Sequence, residues 1–184
     1  TISNRGLEIA LDYDVIKNRD WKWNVGVDAT FLKNELIKLP GGDDITKGTQ
    51  RCSEGRSIYE FYTYHFEGVD QMTGQALYTF DDSESNMKAI DNLMALGAVS
   101  EINGKYYATN TTYAKKDWSG EAMPDVYGGV NTNLSWKGLH FNVMASYSIG
   151  GKIYDGTYRA LMYPYLTGPQ ALHTDILNSW VAVP

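Results

Sequence analysis

In the stretch LEIALDYDV, residues 7–15, every second residue is apolar or aromatic, and the residues between them are polar or small. The stretch WKWNVGVDATF, residues 21–31, repeats this pattern after a polar turn at 17–20. Successive side chains of a strand point to opposite faces, so each stretch predicts a strand with one apolar and one polar face. Strands of about 9–11 residues with this alternation are typical of transmembrane β-barrels.

A second alternating pair follows much later in the chain. The stretch VYGGVNTNLSW, residues 126–136, leads through the turn Lys137-Gly138 into LHFNVMASYSI, residues 139–149. We therefore predict two long hairpins, at about 4–33 and about 125–150, as parts of an all-β antiparallel transmembrane barrel segment.

The chain between and after these hairpins is expected to lie outside the barrel wall. Outer-membrane barrels have short periplasmic turns and long extracellular loops, so we expect the excursion at about 34–124 to be extracellular. The segment at about 151–184 is expected to be loop with a short helix at about 169–180. The local predictions within the excursion are polar loops at 40–57 and 110–123, a small hairpin formed by 57–66 with 75–80, a helix over 83–97 that Ser83 or Ser85 caps and Gly97 ends, and a hairpin over 101–109 that turns at Asn103-Gly104.

The composition agrees with a membrane barrel and excludes some other classes. The 14 Tyr and 5 Trp are residues that gather where an apolar and an aqueous region meet. The mean hydropathy of -0.37 is compatible with a barrel, because half of each barrel strand is polar. With a net charge of -6 and no basic cluster, the sequence predicts no nucleic-acid binding.

The sequence offers no pattern that predicts catalysis, a metal or a cofactor. His65, His140 and His173 are too widely separated for zinc-like spacing. The pairs Asp43-Asp44 and Asp81-Asp82 lack the remaining ligands of a calcium loop. No nucleophile elbow, P-loop or dinucleotide fingerprint is present. We therefore expect a protein that is not an enzyme, with no cofactor.

Four aromatic residues are the candidate ligand-binding residues. Tyr59, Phe61, Tyr62 and Tyr64 lie in one short segment of the excursion. Their rings can stack on sugars or peptides, and the tyrosine hydroxyls can add hydrogen bonds. The alternative is that these rings pack the extracellular loop against its neighbours.

Five motifs resemble SusC/RagA-like TonB-dependent outer-membrane transporters, and they occur in that family's order. They are NRGLE at 4–8, WKWN at 21–24 followed by NELI at 34–37, GRSIYEFY at 55–62 followed by GVD at 68–70 and TG at 73–74, PDVYGG at 124–129, and GGKIYD at 150–155. This chain departs from the simplest family pattern at Ser57, where Pro is common, and in the inserted helix over 83–97.

The resemblance implies a late part of a plugged barrel of about 22 strands in the outer membrane of a Gram-negative bacterium. It implies energised import of a nutrient such as an oligosaccharide or oligopeptide. The implied partners are a SusD-like surface lipoprotein, the TonB complex acting on the plug, the nutrient ligand and outer-membrane lipid. The plug and the closing strands are expected to lie outside this chain, because four strands cannot close a membrane barrel.

Two alternatives come from other classes. A passive outer-membrane barrel or an adhesin would use the same strands without energised transport. A secreted carbohydrate-binding β-sandwich would bury the apolar face of the alternating strands against a second sheet.

Overall fold

A computed structural model describes residues 1–163 and 171–181. Its strands are β1 (Ile2–Lys17), β2 (Trp21–Leu36), β3 (Ile45–Lys47), β4 (Gln50–Cys52), β5 (Glu60–Tyr64), β6 (Phe66–Val69), β7 (Ala76–Thr79), β8 (Val99–Ile102), β9 (Lys105–Ala108), β10 (Lys116–Glu121), β11 (Val126–Trp136) and β12 (Leu139–Ile149). The helices are α1 (Glu84–Lys88), α2 (Ile90–Ala95), α3 (Gly156–Leu161) and a 3-10 helix at Thr174–Asn178.

The chain divides into two compact units. The first comprises Thr1–Phe61 and Gly120–Lys152, and the second comprises Tyr62–Ser119 with the described part of 153–184. The long strands all belong to the first unit, where they form an antiparallel sheet in the order β1-β2-β11-β12. The second predicted hairpin is therefore hydrogen-bonded directly to the first, although about 90 residues separate them in the chain.

The register of the sheet is continuous except for one bulge. β1 and β2 pair without interruption from Ile2 opposite Leu36 to Asp14 opposite Asn24, and then Ile16 pairs with Trp23. Strict alternation places Val15 opposite Trp23 on the apolar face. The structure places Ile16 there instead, so the prediction for Val15 is wrong by one residue. Bulges increase the local twist of a strand pair, and this one lies just before the β1–β2 turn.

Two segments predicted to be loops contain short strands. The region 40–57 contains β3 and β4, and the region 110–123 contains β10, in a sheet of order β10-β5-β4-β3. These strands do not bury one face, so their sequences need no long alternating pattern. Pairing of their backbones with neighbouring strands orders them. In the first unit, for example, the Ala122 amide donates to the Tyr59 carbonyl over 3.0 Å.

The second unit has a conventional hydrophobic core under a sheet of order β6-β7-β9-β8. Buried side chains meet there: Phe80, Leu93, Val99, Ala108 and Ala114. The predicted hairpin at 101–109 is present as β8 and β9, with both turn residues in the left-handed region. The predicted pairing of 57–66 with 75–80 is only partly right, since β7 pairs with β6 while β5 belongs to the other sheet.

The helix predicted over 83–97 is broken into α1 and α2. Ala89, with φ -99° and ψ 6°, ends the first helix and begins the second. Ser83 occupies the N-cap position, but its side chain makes no capping hydrogen bond. Gly97 follows the second helix at φ 68°, a conformation that favours glycine and ends a helix.

The end of the chain differs from the sequence-based expectation. The described part of 151–184 contains α3, a helix that was not expected from the sequence. Its N-cap Asp155 accepts from the Tyr158 amide over 2.8 Å. The helix predicted at about 169–180 is reduced to the 3-10 turn at Thr174–Asn178, and residues 169 and 170 lie outside the described residues. No helix among the described residues is both long and apolar enough to cross a membrane.

Candidate functional site

The four-stranded sheet has one continuous apolar face. The register places Leu11, Val27, Val130 and Ala145 side by side, and the neighbouring row contains Tyr13, Val25, Thr132 and Val143. We call this side the apolar face. Its large side chains are exposed: Leu11 is 63% exposed and Phe141 61%. An exposed apolar surface that is continuous across four strands indicates contact with another apolar medium.

Indole rings border the apolar face at the end where the short turns lie. Trp21 and Trp136 stack across β2 and β11 with ring centroids 5.4 Å apart. The Trp23 indole N–H donates to Thr132 Oγ1 over 2.8 Å, so this polar atom has a partner on an apolar surface. Rings that are apolar on one side and polar at the tip are characteristic of the boundary between lipid and water.

A glycine near the other end of the apolar face makes room for a tyrosine. A Cβ on Gly128 would overlap the Asp28 carbonyl oxygen and would lie 2.9 Å from the Tyr147 hydroxyl. Without that Cβ, Tyr147 reaches across β11 and its hydroxyl donates to the Asp28 carbonyl over 2.8 Å. The Asp28 carboxylate in turn accepts from the Gly129 amide over 3.0 Å. The Gly128-Gly129 pair in the PDVYGG motif therefore has a packing reason.

The opposite side of the sheet, which we call the polar face, presents amides and carboxylates. One cross-strand row contains Asp14, Asn24, Asn133 and Asn142. The Asn24 amide nitrogen donates to Asp12 over 2.7 Å and to Asp14 over 3.2 Å. Hydrogen-bonded polar groups on this face are compatible with the aqueous interior of a barrel or with contact to a protein plug.

The chain covers the polar face at the end away from the turns. Asn34 and Leu36, whose side chains lie on that face, are 5% and 4% exposed. Asn34 Oδ1 accepts from the Ile58 amide over 3.0 Å, and the Arg56 carbonyl accepts from the Leu36 amide over 2.8 Å. The protein thus packs its own loop against the polar face and leaves the apolar face uncovered.

The aromatic binding candidates are divided between the two units. In the first unit, Tyr59 is 42% exposed and Phe61 lies opposite Gln50. Neighbouring positions of a strand point to opposite sides, so Phe61 and Tyr62 alternate along β5. No structural feature or similarity tests the assignment of these rings to a ligand, and it stays a prediction.

In the second unit, the other two candidate rings have close partners. Tyr62 packs edge-on against Trp118 with centroids 5.2 Å apart. The Tyr64 ring lies 4.9 Å from the Lys116 ammonium, a cation–π distance. Trp118 was not among the sequence-based candidates, because it lies in a segment predicted to be loop. Both rings therefore have partners within the second unit: Trp118 for Tyr62 and Lys116 for Tyr64.

A turn in the second unit explains a further sequence motif. The Asp70 carboxylate accepts from the Met72 amide over 2.8 Å and from the Thr73 hydroxyl over 2.9 Å. These donors, the Met72 amide foremost, lower the pKa of Asp70. Gly74 has φ 74°, and the Trp180 ring lies against it where a Cβ would otherwise sit. The spacing of Asp70, Thr73 and Gly74 is therefore a structural turn signature.

The described residues contain no cluster of three or more His, Cys, Asp or Glu that could hold a metal ion. The described residues instead form a sheet with one apolar and one polar face. It can separate an apolar medium from a polar interior.

Comparison with known proteins agrees with this geometry. The chain is 27% identical over 97% of its length to TonB-dependent receptor P3 of Formosa agariphila, and 23% identical over 84% of its length to TonB-dependent receptor SusC of Bacteroides thetaiotaomicron. It spans 18% and 14% of the lengths of these two relatives. No family model matches the chain.

Solved structures show the same fold. The chain superposes on the RagAB peptide transporter with a TM-score of 0.76 at 18% identity, covering 98% of this chain and 19% of that one. The open-open state of the RagAB peptide importer matches with a TM-score of 0.60 at 19% identity, over 82% of this chain and 15% of that one. The predictions of an antiparallel segment of a larger transmembrane β-barrel, of outer-membrane localisation and of likeness to SusC-like TonB-dependent receptors are confirmed.

Proposed function

We propose that this chain forms wall and extracellular loops of a transporter that imports a nutrient across the outer membrane with energy from TonB. The observation that carries the proposal is the apolar face, which is exposed across four strands while the chain packs its own loop on the opposite face. The similarity to TonB-dependent receptors over nearly the whole chain supports the energised class over a passive barrel or adhesin.

The role proposed for the segment is structural and not catalytic. β1, β2, β11 and β12 would separate lipid from the barrel interior. The region at about 34–124 would lie outside the cell, because the connection between the hairpins is long and the turns at the other end are short. The plug that contacts TonB and the SusD-like lipoprotein that closes the barrel are proposed partners of the whole protein.

The proposed substrate is an oligosaccharide or oligopeptide. One structural neighbour is a peptide transporter, and that activity is a property of that protein. Tyr59, Phe61, Tyr62 and Tyr64 remain the proposed ligand contacts in this chain, and Tyr59 is the best placed in the first unit because its ring is exposed. Stacking on either a sugar or an aromatic peptide side chain would use the same ring faces.

The test is uptake by cells that carry or lack the full-length gene. Cells would be offered mixed oligopeptides or mixed oligosaccharides as sole nutrient, and depletion of the medium would be followed by mass spectrometry. We expect one class to be depleted only when both the gene and TonB are present. Uptake that persists without TonB would establish a passive barrel, and depletion of neither class would overturn import of these nutrients.

A matched pair of variants tests the ligand contacts. Tyr59→Ala should reduce uptake more than Met72→Ala, because Met72 is a well-exposed side chain of the second unit at 89% and belongs to no proposed contact. Losing one stacked ring costs about 0.5–1.5 kcal/mol, or roughly two- to tenfold in apparent affinity. Equal uptake by the two variants would assign Tyr59 to loop packing alone.

A further inference from the structure

Two cations lie side by side on the apolar face, just beyond its last apolar row. Arg5 on β1 pairs in register with Lys33 on β2, and the next row toward the turns contains Leu7 and Phe31. Their side chains are 68% and 73% exposed. Alternation places all four residues on the same side of the sheet, so the cations border the surface that faces lipid.

One carboxylate accompanies the two cations. Glu35, in the next row away from the turns, lies 3.0 Å from the Arg5 guanidinium and 3.7 Å from the Lys33 ammonium. Its side chain is 23% exposed, so it is more covered than either cation. The group of three therefore has a net charge of +1, and each cation keeps donor atoms directed away from Glu35 because one carboxylate cannot accept from all of them.

This arrangement is confined to one end and one face of the sheet. A second cross-strand pair of cations, Lys17 and Lys22, belongs to the polar-face row that also contains Ser135 and His140. At the turn end, the apolar face is bordered by Trp21 and Trp136 instead. Solubility alone does not explain exposed cations placed next to lipid-facing Leu7 and Phe31, whereas attraction to a negative headgroup at that depth does.

We propose that Arg5 and Lys33 bind the phosphate group of a phosphorylated glycolipid in the outer leaflet of the outer membrane. The loop end of the sheet lies on the extracellular side in the proposed function, so the site rests on that orientation. Arg supplies a planar pair of donors to phosphate oxygens, and Lys adds a compact charge. The acyl chains would lie along the adjacent apolar rows of β1 and β2.

The test uses the full-length receptor purified in neutral detergent and titrated with lipid A that carries one phosphate. Bound lipid is counted by native mass spectrometry. The test variant is Arg5→Gln with Lys33→Gln, and the control is Lys17→Gln with Lys22→Gln, which removes the same charge from the polar face. Heat-modifiable mobility on a gel shows that each variant forms its barrel.

We expect the Arg5/Lys33 variant to lose about 25-fold in lipid affinity, at about fivefold per cation near an anionic surface, and the control to lose less than about twofold. Glu35→Gln should bind more tightly than the unmodified protein, because it removes the competing carboxylate. Dephosphorylated lipid A should bind all variants alike.

Two outcomes would overturn the site: equal losses in the two double variants, or unchanged binding in the Arg5/Lys33 variant. Lipid retention needs neither TonB nor nutrient, so its result is distinguishable from failure of the proposed transport.

Discussion

The small sheet of the second unit buries its apolar residues, whereas the long sheet of the first unit exposes them. In the second unit, Phe80, Leu93 and Val99 are 3–6% exposed, packed between helices and strands. In the long sheet, Leu11 and Phe141 are more than 60% exposed although they alternate as regularly as any core strand. The difference shows that alternation predicts which side chains share a face, and not which medium covers that face.

The largest expected effect is loss of the core in the second unit. Phe80→Ala should destabilise that unit by about 3–5 kcal/mol, because it leaves a cavity among Leu93, Val99 and Ala108. The measurement is limited proteolysis of the full-length protein, with cleavage mapped within 62–119. Phe141→Ala, on the exposed face of the long sheet, is the control and should leave cleavage in 62–119 unchanged. Equal protection in both variants would contradict the assigned core.

The next effect distinguishes the two faces of one strand. Val143→Arg places a charge on the apolar face and should cost about 2–4 kcal/mol near the middle of the membrane, because the cation loses water without a partner. Asn142→Arg, one residue earlier, faces the polar side and should be tolerated. The yield of heat-modifiable barrel in the outer-membrane fraction measures the difference, and similar yields would mean that the faces are wrongly assigned.

A smaller effect is expected where strands β2, β11 and β12 approach closely. Gly128→Ala places a Cβ against the Asp28 carbonyl and displaces the Tyr147 hydroxyl. Overpacking of this kind should cost about 1–3 kcal/mol of stability. Gly129→Ala is the milder partner, because the nearest atom to its Cβ is a carboxylate oxygen at 3.0 Å that can shift. Urea midpoints of the reconstituted receptor would rank the two variants, and the reverse order would refute the close contact.

The smallest effect concerns pH and the Asp70 turn. The pKa of Asp70 is lowered by the Met72 amide and the Thr73 hydroxyl, so the stabilisation by the carboxylate is present above about pH 4 and is lost as pH falls through the lowered value. Hydrogen exchange in peptides covering 68–76 should therefore accelerate on acidification relative to Asp70→Asn at the same pH. Identical pH profiles would show that the carboxylate does not hold the turn.

Much of the long sheet could be predicted from the sequence. A strand with lipid on one side has an apolar residue at every second position, and this alternation is visible in a short stretch of sequence. The residues of β1, β2, β11 and β12 and their apolar sides were visible in this way, and the Asn103-Gly104 turn was visible from its chemistry. The bulge at Val15 was not, since an extra residue changes the register without changing the composition.

The short strands and the candidate site were harder to predict. β3, β4 and β10 form where backbones pair, and their sequences contain no apolar stripe that local reading could detect. Trp118 and Trp180 contact Tyr62 and Gly74 from distant parts of the chain, so no local pattern indicated them. The cation pair Arg5 and Lys33 was equally hidden, because residues 28 positions apart become neighbours only through the hairpin register.

By itself, the sequence determined that this chain contains two amphipathic hairpins of membrane-spanning length, since side-chain alternation and chain length follow from covalent geometry. Only the tertiary structure decided that the two hairpins join through β2 and β11 and that the loop at 53–58 covers the polar face. It also decided that the missing Cβ of Gly128 lets the Tyr147 hydroxyl reach the Asp28 carbonyl. Those features depend on contacts between residues far apart in the chain, where close packing and hydrogen-bond satisfaction select one register among several that the alternation alone permits.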